Sequence, residues 1–307
     1  MNRGRRVARV QAQAKLNLFL RVGPRENDGY HQLLTLFHRI DLADDLMIRV
    51  GGGGAERSLS CSGPALPAEG LGPPDANLAM RAATLYAHEC GWPDGFSIEL
   101  VKRIPVGGGL GGGSADAGAV LRAFDALSPR PMGDGLRELG AQLGADVPFL
   151  ASDRVAAFAI GRGDELMSPQ LTEPTLSSRP VLLLLPAFGV TTAEAYRWLD
   201  ESNRPLASDG RSLGRVRWSW SAVEQLACDL AGGNDFEAVV EQRHPVLRAC
   251  RERLRAAGAR IARLSGSGST VFGVFHSPVA SIDGLPNQVA QLATRTSTRV
   301  VQVEAQE

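Results

Sequence analysis

Between Ile104 and Asp116 the chain reads IPVGGGLGGGSAD, with six glycines in the seven positions from Gly107 to Gly113. Glycine loses more backbone entropy on ordering than any other residue, so such a run is costly unless its freedom is used. Upstream, FSIELVKRIP from Phe96 alternates apolar and polar residues as a strand does. Downstream, SADAGAVLRAFDAL spaces its apolar residues as a helix does. Strand, glycine loop and helix in that order make an anion site. Successive backbone N–H groups converge, and the helix N-terminus adds partial positive charge. A Cβ in the loop would block both positive φ and the close approach of a phosphate. Ser114 is placed to cap the helix, or to offer its hydroxyl to a phosphate or metal ion. The alternative, a flexible linker, sits poorly between a firm strand and an amphipathic helix.

The loop is not a Walker A motif, which would put a lysine where Gly113 stands. It is not a dinucleotide fingerprint either, because no acidic residue ends a second strand about 20 residues on. A second glycine loop, Ser265-Gly266-Ser267-Gly268-Ser269, lies between two apolar stretches. Alone it reads as a hairpin turn; paired with the first, it reads equally as a second ligand loop.

With Lys plus Arg and Asp plus Glu both at 33, the net charge is zero, which excludes nucleic-acid binding through bulk charge. The four cysteines, Cys61, Cys90, Cys228 and Cys250, form no CxxC pair and read as reduced cytosolic thiols, giving a cytoplasmic expectation. The basic start, MNRGRRVARVQAQAK, is followed by no apolar segment of the signal type. The greasiest run, VLLLLPAFGV from Val181, is roughly half of a membrane span and reads as a buried strand. No membrane association is expected. Only two of the 33 basic residues are lysines, Lys15 and Lys102. Where arginine is the default cation, a retained lysine points to a place that needs a compact charge.

Val7 to Val22 alternates as one or two strands, and His38 to Val50 reads as a strand pair around a polar turn. Asp75 or Asn77 caps a helix ending at Gly91, and a second helix through GLRELGAQLG stops at Gly144. A polar link near residues 172–179 suggests a boundary between domains 1–172 and 173–307. Beyond it come a strand at Val181, helices from Thr191 and near Val223 and His244, and then strand, glycine loop and strand. Helices and strands mix without a βαβ rhythm, so the class is α+β.

Single residues add chemistry. Lys15 sits mid-strand, where an unpaired ammonium is costly to bury, so an anionic partner is expected. Asp146 has Ala145, Val147 and Pro148 as neighbours, which suits a poorly solvated carboxylate as well as a turn residue. Tyr30-His31 offers a stacking face beside a ring with two hydrogen-bonding edges, or ordinary surface packing.

Taken together, AKLNLFL at Ala14, DGYH at Asp28, PVGGGLGGGSAD at Pro105, LGADVPF at Leu143, GRGDEL at Gly161 and RLSGSGSTVF at Arg263 resemble the GHMP small-molecule kinases. Within them, the pattern is most similar to the branch acting in the non-mevalonate isoprenoid route. The resemblance implies two domains with the active site in their cleft. It implies ATP and Mg²⁺, with the stretch Pro105, Val106, Gly107, Gly108, Gly109, Leu110, Gly111, Gly112, Gly113, Ser114 and Ala115 around the ATP phosphates. No side chain is assigned to the metal. Asp146 matches the catalytic aspartate that takes the proton of the acceptor hydroxyl, and Lys15 the lysine paired with it. The acceptor implied is the 2-hydroxyl of 4-diphosphocytidyl-2-C-methyl-D-erythritol. Asn17 matches a position that helps to place its methylerythritol portion, Tyr30 and Tyr196 match the rings stacking on cytosine, with Thr192 near Tyr196 for the substrate, and His31 matches a reader of the cytosine's polar edge. A monomer or weak homodimer is expected. Departures from the pattern are Ala115, Gly118 and a long 202–228 region with Trp218 and Trp220, which suggests a substrate flap or a dimer contact. A homoserine or mevalonate kinase would keep the loop without needing the aromatic clamp. A non-catalytic nucleotide- or RNA-binding protein would have no need of Lys15 and Asp146.

Overall fold

The computed structural model describes residues 6–51, 54–167, 178–202 and 233–306. The link around 172–177, the helix expected near Val223, Cys228 and the tryptophans Trp218 and Trp220 lie outside them.

Two long strands, β1 (Arg6–Arg25) and β2 (His31–Val50), pair antiparallel and carry the first sheet. β2 is longer than the strand pair expected there. Asp44-Asp45, which looks like a turn in the sequence, continues the strand because Asp44 points inward and is fully buried. The sheet runs β11 (Glu304–Gln306), β1, β2, β4 (Phe96–Val101), β3 (Arg57–Ser62), with β5 (Ala156–Gly161) on the far half of β2 and β6 (Glu165–Met167) beside it. β3 lies parallel to β4. The chain therefore returns at its end to the sheet in which it began.

Helices α1 (Leu78–Cys90) and α2 (Gly112–Leu127) cover one face of this sheet. Asn77 caps α1 by accepting from the Ala79 N–H, and Gly91 ends it in the left-handed region. Tyr86 and Phe124 meet edge to face at 5.7 Å, fully buried, each such ring contributing about 1.5–3 kcal/mol over an exposed one. α3 (Gly135–Ala141) leads to α4 (Val147–Ala151), five residues long. Arg39, 1% exposed, holds the end of α4 by donating to the carbonyls of Phe149, Leu150, Ser152 and Arg154 at 2.9–3.0 Å. A cation at a helix C-terminus meets the unpaired carbonyls there.

The second sheet runs β10 (Val289–Arg295), β7 (Pro180–Pro186), β9 (Val271–Val274), β8 (Ile261–Leu264), all antiparallel. α5 (Thr192–Glu201), opened by a capping box of Thr191 and Glu194, packs with α6 (Phe236–Arg243) and α7 (Pro245–Ala256) around a second core. Helices and mainly antiparallel sheets in two halves give the expected α+β class. The halves are joined by main-chain bonds, Leu20 N–H to Gly233 O (3.2 Å) and Ser297 N–H to Arg39 O (3.0 Å), and a cleft opens between them.

Candidate active site

A cavity of about 1510 Å³ is lined by the glycine loop, β1, the Tyr30 corner, the turn before α4, and α5. Helix α2 begins at Gly112 with Gly111 as its cap, so Ser114 stands in the first turn and is not the cap residue expected. Ser114 lines the cavity, as does the chain from Pro105 to Gly113. Ala115 is buried behind them.

The loop is shaped from behind. Gly109 (φ +76°) leaves no room for a side chain, since a Cβ would come 2.1 Å from the carbonyl oxygen of Ser265. Ser265 Oγ donates to Gly109 O (2.9 Å), and Thr270 N–H donates to Gly108 O (3.1 Å). The second glycine loop is thus packed under the first. It is held in turn by Asn234, whose Nδ2 donates to Leu264 O (2.9 Å) and Gly266 O (2.7 Å). From the front, Lys15 N–H donates to Leu110 O (3.0 Å), tying the loop to β1.

Lys15 is 3% exposed and has the anionic partner that its burial requires. Its Nζ lies 3.1 Å from Asp146 Oδ2 and donates to Asn17 Oδ1 at 2.8 Å. Asn17 Nδ2 donates to Thr35 Oγ1 (2.9 Å), which fixes the amide. Asp146 occupies the cap position of α4 but makes no cap bond with its side chain, so the carboxylate is turned toward Lys15. Gly111 completes the junction, with a φ of +71° and a Cα so near Lys15 that a Cβ would sit 2.9 Å from Cε. Loop, strand and α4 turn meet at one point.

On the other side of the cavity, His31 is buried and stacks on Tyr196, ring centroids 4.9 Å apart at 25°. Tyr196 meets Phe236 edge-on at 5.0 Å. Burial, and after it the Asp146 carboxylate, push the Tyr196 phenol well up, so its hydroxyl keeps its hydrogen. Tyr30 is 57% exposed. The Arg162 guanidinium lies 4.1 Å from its ring centroid, a cation–π contact, and pairs with Asp28. Tyr30 thus has a face under Arg162, and Tyr196 has a face on His31. Thr192 Oγ1 is 3.4 Å from Ser267 Oγ.

Sequence reasoning missed a buried ionic group beneath the loop. Lys102 Nζ donates to Asp44 and, at 2.7 Å, to Asp116 Oδ2. Asp44 also accepts from the N–H groups of Arg103 and Ile104. The group thereby ties the end of β4 to the first turns of α2, the two stems of the glycine loop. Among the described residues Asp116 accepts from the lysine alone, and its Oδ1 is buried without a hydrogen-bond partner. Burial raises its carboxyl to about 8 against the pull of Lys102, with Asp44 adding repulsion. The scarcity of lysine marked Lys102, but nothing in the sequence marked Asp44. Among the described residues, no three histidine, cysteine or carboxylate side chains cluster to hold a metal, and no helix is long and apolar enough to cross a membrane.

Two family models match the chain, GHMP kinases N terminal domain over residues 77–161 and GHMP kinases C terminal over residues 218–282. A 4-diphosphocytidyl-2-C-methyl-D-erythritol kinase of Salinibacter ruber is 40% identical over 276 residues, covering 88% of this chain and 90% of the relative. One of the same name from Anaeromyxobacter sp. strain K is 40% identical over 265 residues, covering 86% and 79%. A crystal structure of 4-(cytidine 5'-diphospho)-2C-methyl-D-erythritol kinase, 36% identical, superposes with a TM-score of 0.71 over 94% of this chain and 99% of its own. A homoserine kinase from Cytophaga hutchinsonii, 17% identical, shares the fold at a TM-score of 0.67 over 99% and 98% of the two chains.

Proposed function

The chain belongs to the GHMP kinases, ATP-dependent small-molecule kinases, and on that premise we propose that it phosphorylates the 2-hydroxyl of 4-diphosphocytidyl-2-C-methyl-D-erythritol in the non-mevalonate isoprenoid route. The observation that carries the mechanism is the Lys15–Asp146 pair, 3.1 Å apart at the meeting of the glycine loop and the acceptor side of the cavity. The names of the relatives at 40% identity support the choice of acceptor.

The loop N–H groups and the α2 N-terminus would hold the triphosphate and offset its negative charge. Asp146 takes the proton of the acceptor hydroxyl. The hydroxyl oxygen then forms a bond to the γ-phosphorus while the bond to the β–γ bridging oxygen breaks, releasing ADP. Lys15 orients the Asp146 carboxylate and sets a positive charge beside the transferring group. Asn17, fixed by Thr35, holds Lys15 from the other side. Tyr30, His31 and Tyr196 hold the cytidyl end, and Thr192 the portion near the reacting hydroxyl.

Magnesium supplies neutralisation of phosphate charge when bound. At nucleotide sites Mg²⁺ is usually held by the phosphates, water and one or two protein oxygens. Ser114, which lines the cavity in the first turn of α2, is the side chain that would reach it. The division of the chain into a donor half at 1–172 and a second half at 173–307 belongs to the same reading.

The test is ADP release with a panel of alcohols. The cytidyl compound should be turned over, and homoserine and mevalonate should not; the reverse pattern refutes the acceptor. Asp146→Asn should lower kcat by at least about 100-fold, the usual worth of a positioned base, with ATP binding near wild type. A near-normal rate in that variant removes Asp146 from the role.

A further inference from the structure

His31 does not stand alone at the wall of the cavity. Its Nδ1 lies 2.8 Å from the carbonyl oxygen of Gly23, and a carbonyl only accepts, so Nδ1 carries the hydrogen. Stacking on Tyr196 fixes the plane of the ring. Nε2 lies 3.2 Å from Oδ1 of Asp200, a contact that becomes a hydrogen bond in the imidazolium form, where both ring nitrogens donate. Asp200 is four residues after Tyr196 on α5, hence on the same helix face, and also lines the cavity. Its second oxygen, Oδ2, is 3.8 Å from Arg25 Nη1, beyond hydrogen-bond reach. Among the described residues the carboxylate thus lies between His31 and Arg25, with Oδ2 ion-paired to the guanidinium but accepting no hydrogen bond, next to the rings assigned to the base.

We propose that Asp200 is the specificity-determining residue of the acceptor site, accepting a hydrogen bond from the exocyclic amine of a cytosine and so excluding uracil. This rests on the reading of the acceptor as a cytidyl compound. The chemistry is one-sided. An ionised carboxylate can only accept, cytosine presents an N4 amine that donates, and uracil presents at the same place an O4 that can only accept. Uracil in this position would set two acceptors against each other. Carboxylate to cytosine N4 is also the pairing by which proteins read this base in nucleic acids. His31, its ring fixed by Gly23 and Tyr196, is the positioning partner in the form that carries a hydrogen on both nitrogens, when Nε2 donates to Asp200 Oδ1.

The experiment compares kcat/KM for the cytidyl acceptor and its uridyl analogue in the wild type and in Asp200→Asn, whose amide can donate to O4. The wild type should prefer the cytidyl compound about 10- to 100-fold, the range of one good base-edge contact. Asp200→Asn should bring the two within a few-fold, by losing cytidyl activity and gaining uridyl activity, with the KM for ATP unchanged. Asp200→Ala should lose cytidyl activity without the uridyl gain. Asp200 is one-third exposed on its helix, and equal unfolding midpoints will show that the fold is kept. If Asp200→Asn keeps the wild-type preference, the assignment is overturned. If the wild type uses neither compound, the acceptor reading has failed and takes this assignment with it. Calorimetry of CMP against UMP gives the same comparison without turnover.

Discussion

Gly111→Ala is a probe of the junction between loop, Lys15 and Asp146. An alanine at φ +71° costs about 1–2 kcal/mol of backbone strain, offset by about 0.4–1 kcal/mol from the stiffer unfolded chain. Gly91→Ala carries the same strain without the crowding, because Gly91 has a φ of +61° and open space around its Cβ position, at the far end of α1. The two variants should lose similar stability, a few degrees in midpoint. At Gly111 the new Cβ would be 2.9 Å from Lys15 Cε and 3.4 Å from Asp146 Oδ2. Restoring ordinary contact of about 3.5–4.0 Å requires the lysine stem to move by roughly 0.6–1 Å. Lys15 is anchored at its tip by Asp146 and Asn17, so the shift passes into the pair. Misplacement by about 1 Å at a reacting centre costs on the order of 100-fold, so kcat should fall about 10- to 100-fold, or ~1.4–2.7 kcal/mol of barrier. Gly91→Ala should leave kcat near wild type. The assay is thermal unfolding beside steady-state turnover at saturating ATP. Equal kcat in the two variants would refute the idea that Gly111 is glycine for the sake of Lys15.

Two further outcomes follow from the loop's supports. Ser265→Ala removes the bond to Gly109 O, worth about 1 kcal/mol, and should raise the KM for ATP about fivefold with little change in kcat. Asp116 bears on pH. Its folded-state carboxyl is raised to about 8, so between the ordinary carboxylate range and pH 8 the folded chain holds a proton that the unfolded chain has released. Stability contributed by this group therefore falls as pH rises through that window. Asp116→Asn should flatten that fall in denaturant titrations at pH 5, 7 and 8.5, and an unchanged slope would remove Asp116 as its source.

The glycine loop, its flanking strand and helix, the cap at Asn77 and the strand–loop–strand near the end were all legible, because each rests on local periodicity or on residues with one strong backbone preference. The β2 strand was not, because Asp44-Asp45 has the local signature of a turn and is overruled by Lys102, 58 positions away. Of the two tasks open to Ser114, the cap falls away for a related reason, since Gly111 in the left-handed region starts the helix earlier than a serine would. The second glycine loop could be seen but not interpreted; only its contacts with Gly108 and Gly109 give it a task. Arg162 fell inside the GRGDEL motif without a task, and Asp200 and Asn234 gave no signal in the sequence, for their partners are set by tertiary packing alone.

Ser265 is 156 positions from Gly109, and this distance along the chain has a consequence for synthesis. A run of glycines carries no side chains with which to remember a shape, and here the shape is stored in residues made much later. A ribosome-bound chain that has completed α2 holds every glycine of the donor loop and lacks the template that sets their carbonyls. On the proposed reading of this loop as the ATP site, nucleotide binding should require β8 and β9 to have emerged and docked, so that binding by a growing or truncated chain would report on the finished second half. For the same reason, moving IPVGGGLGGGSAD into another strand–helix host would carry over its freedom and leave its geometry behind.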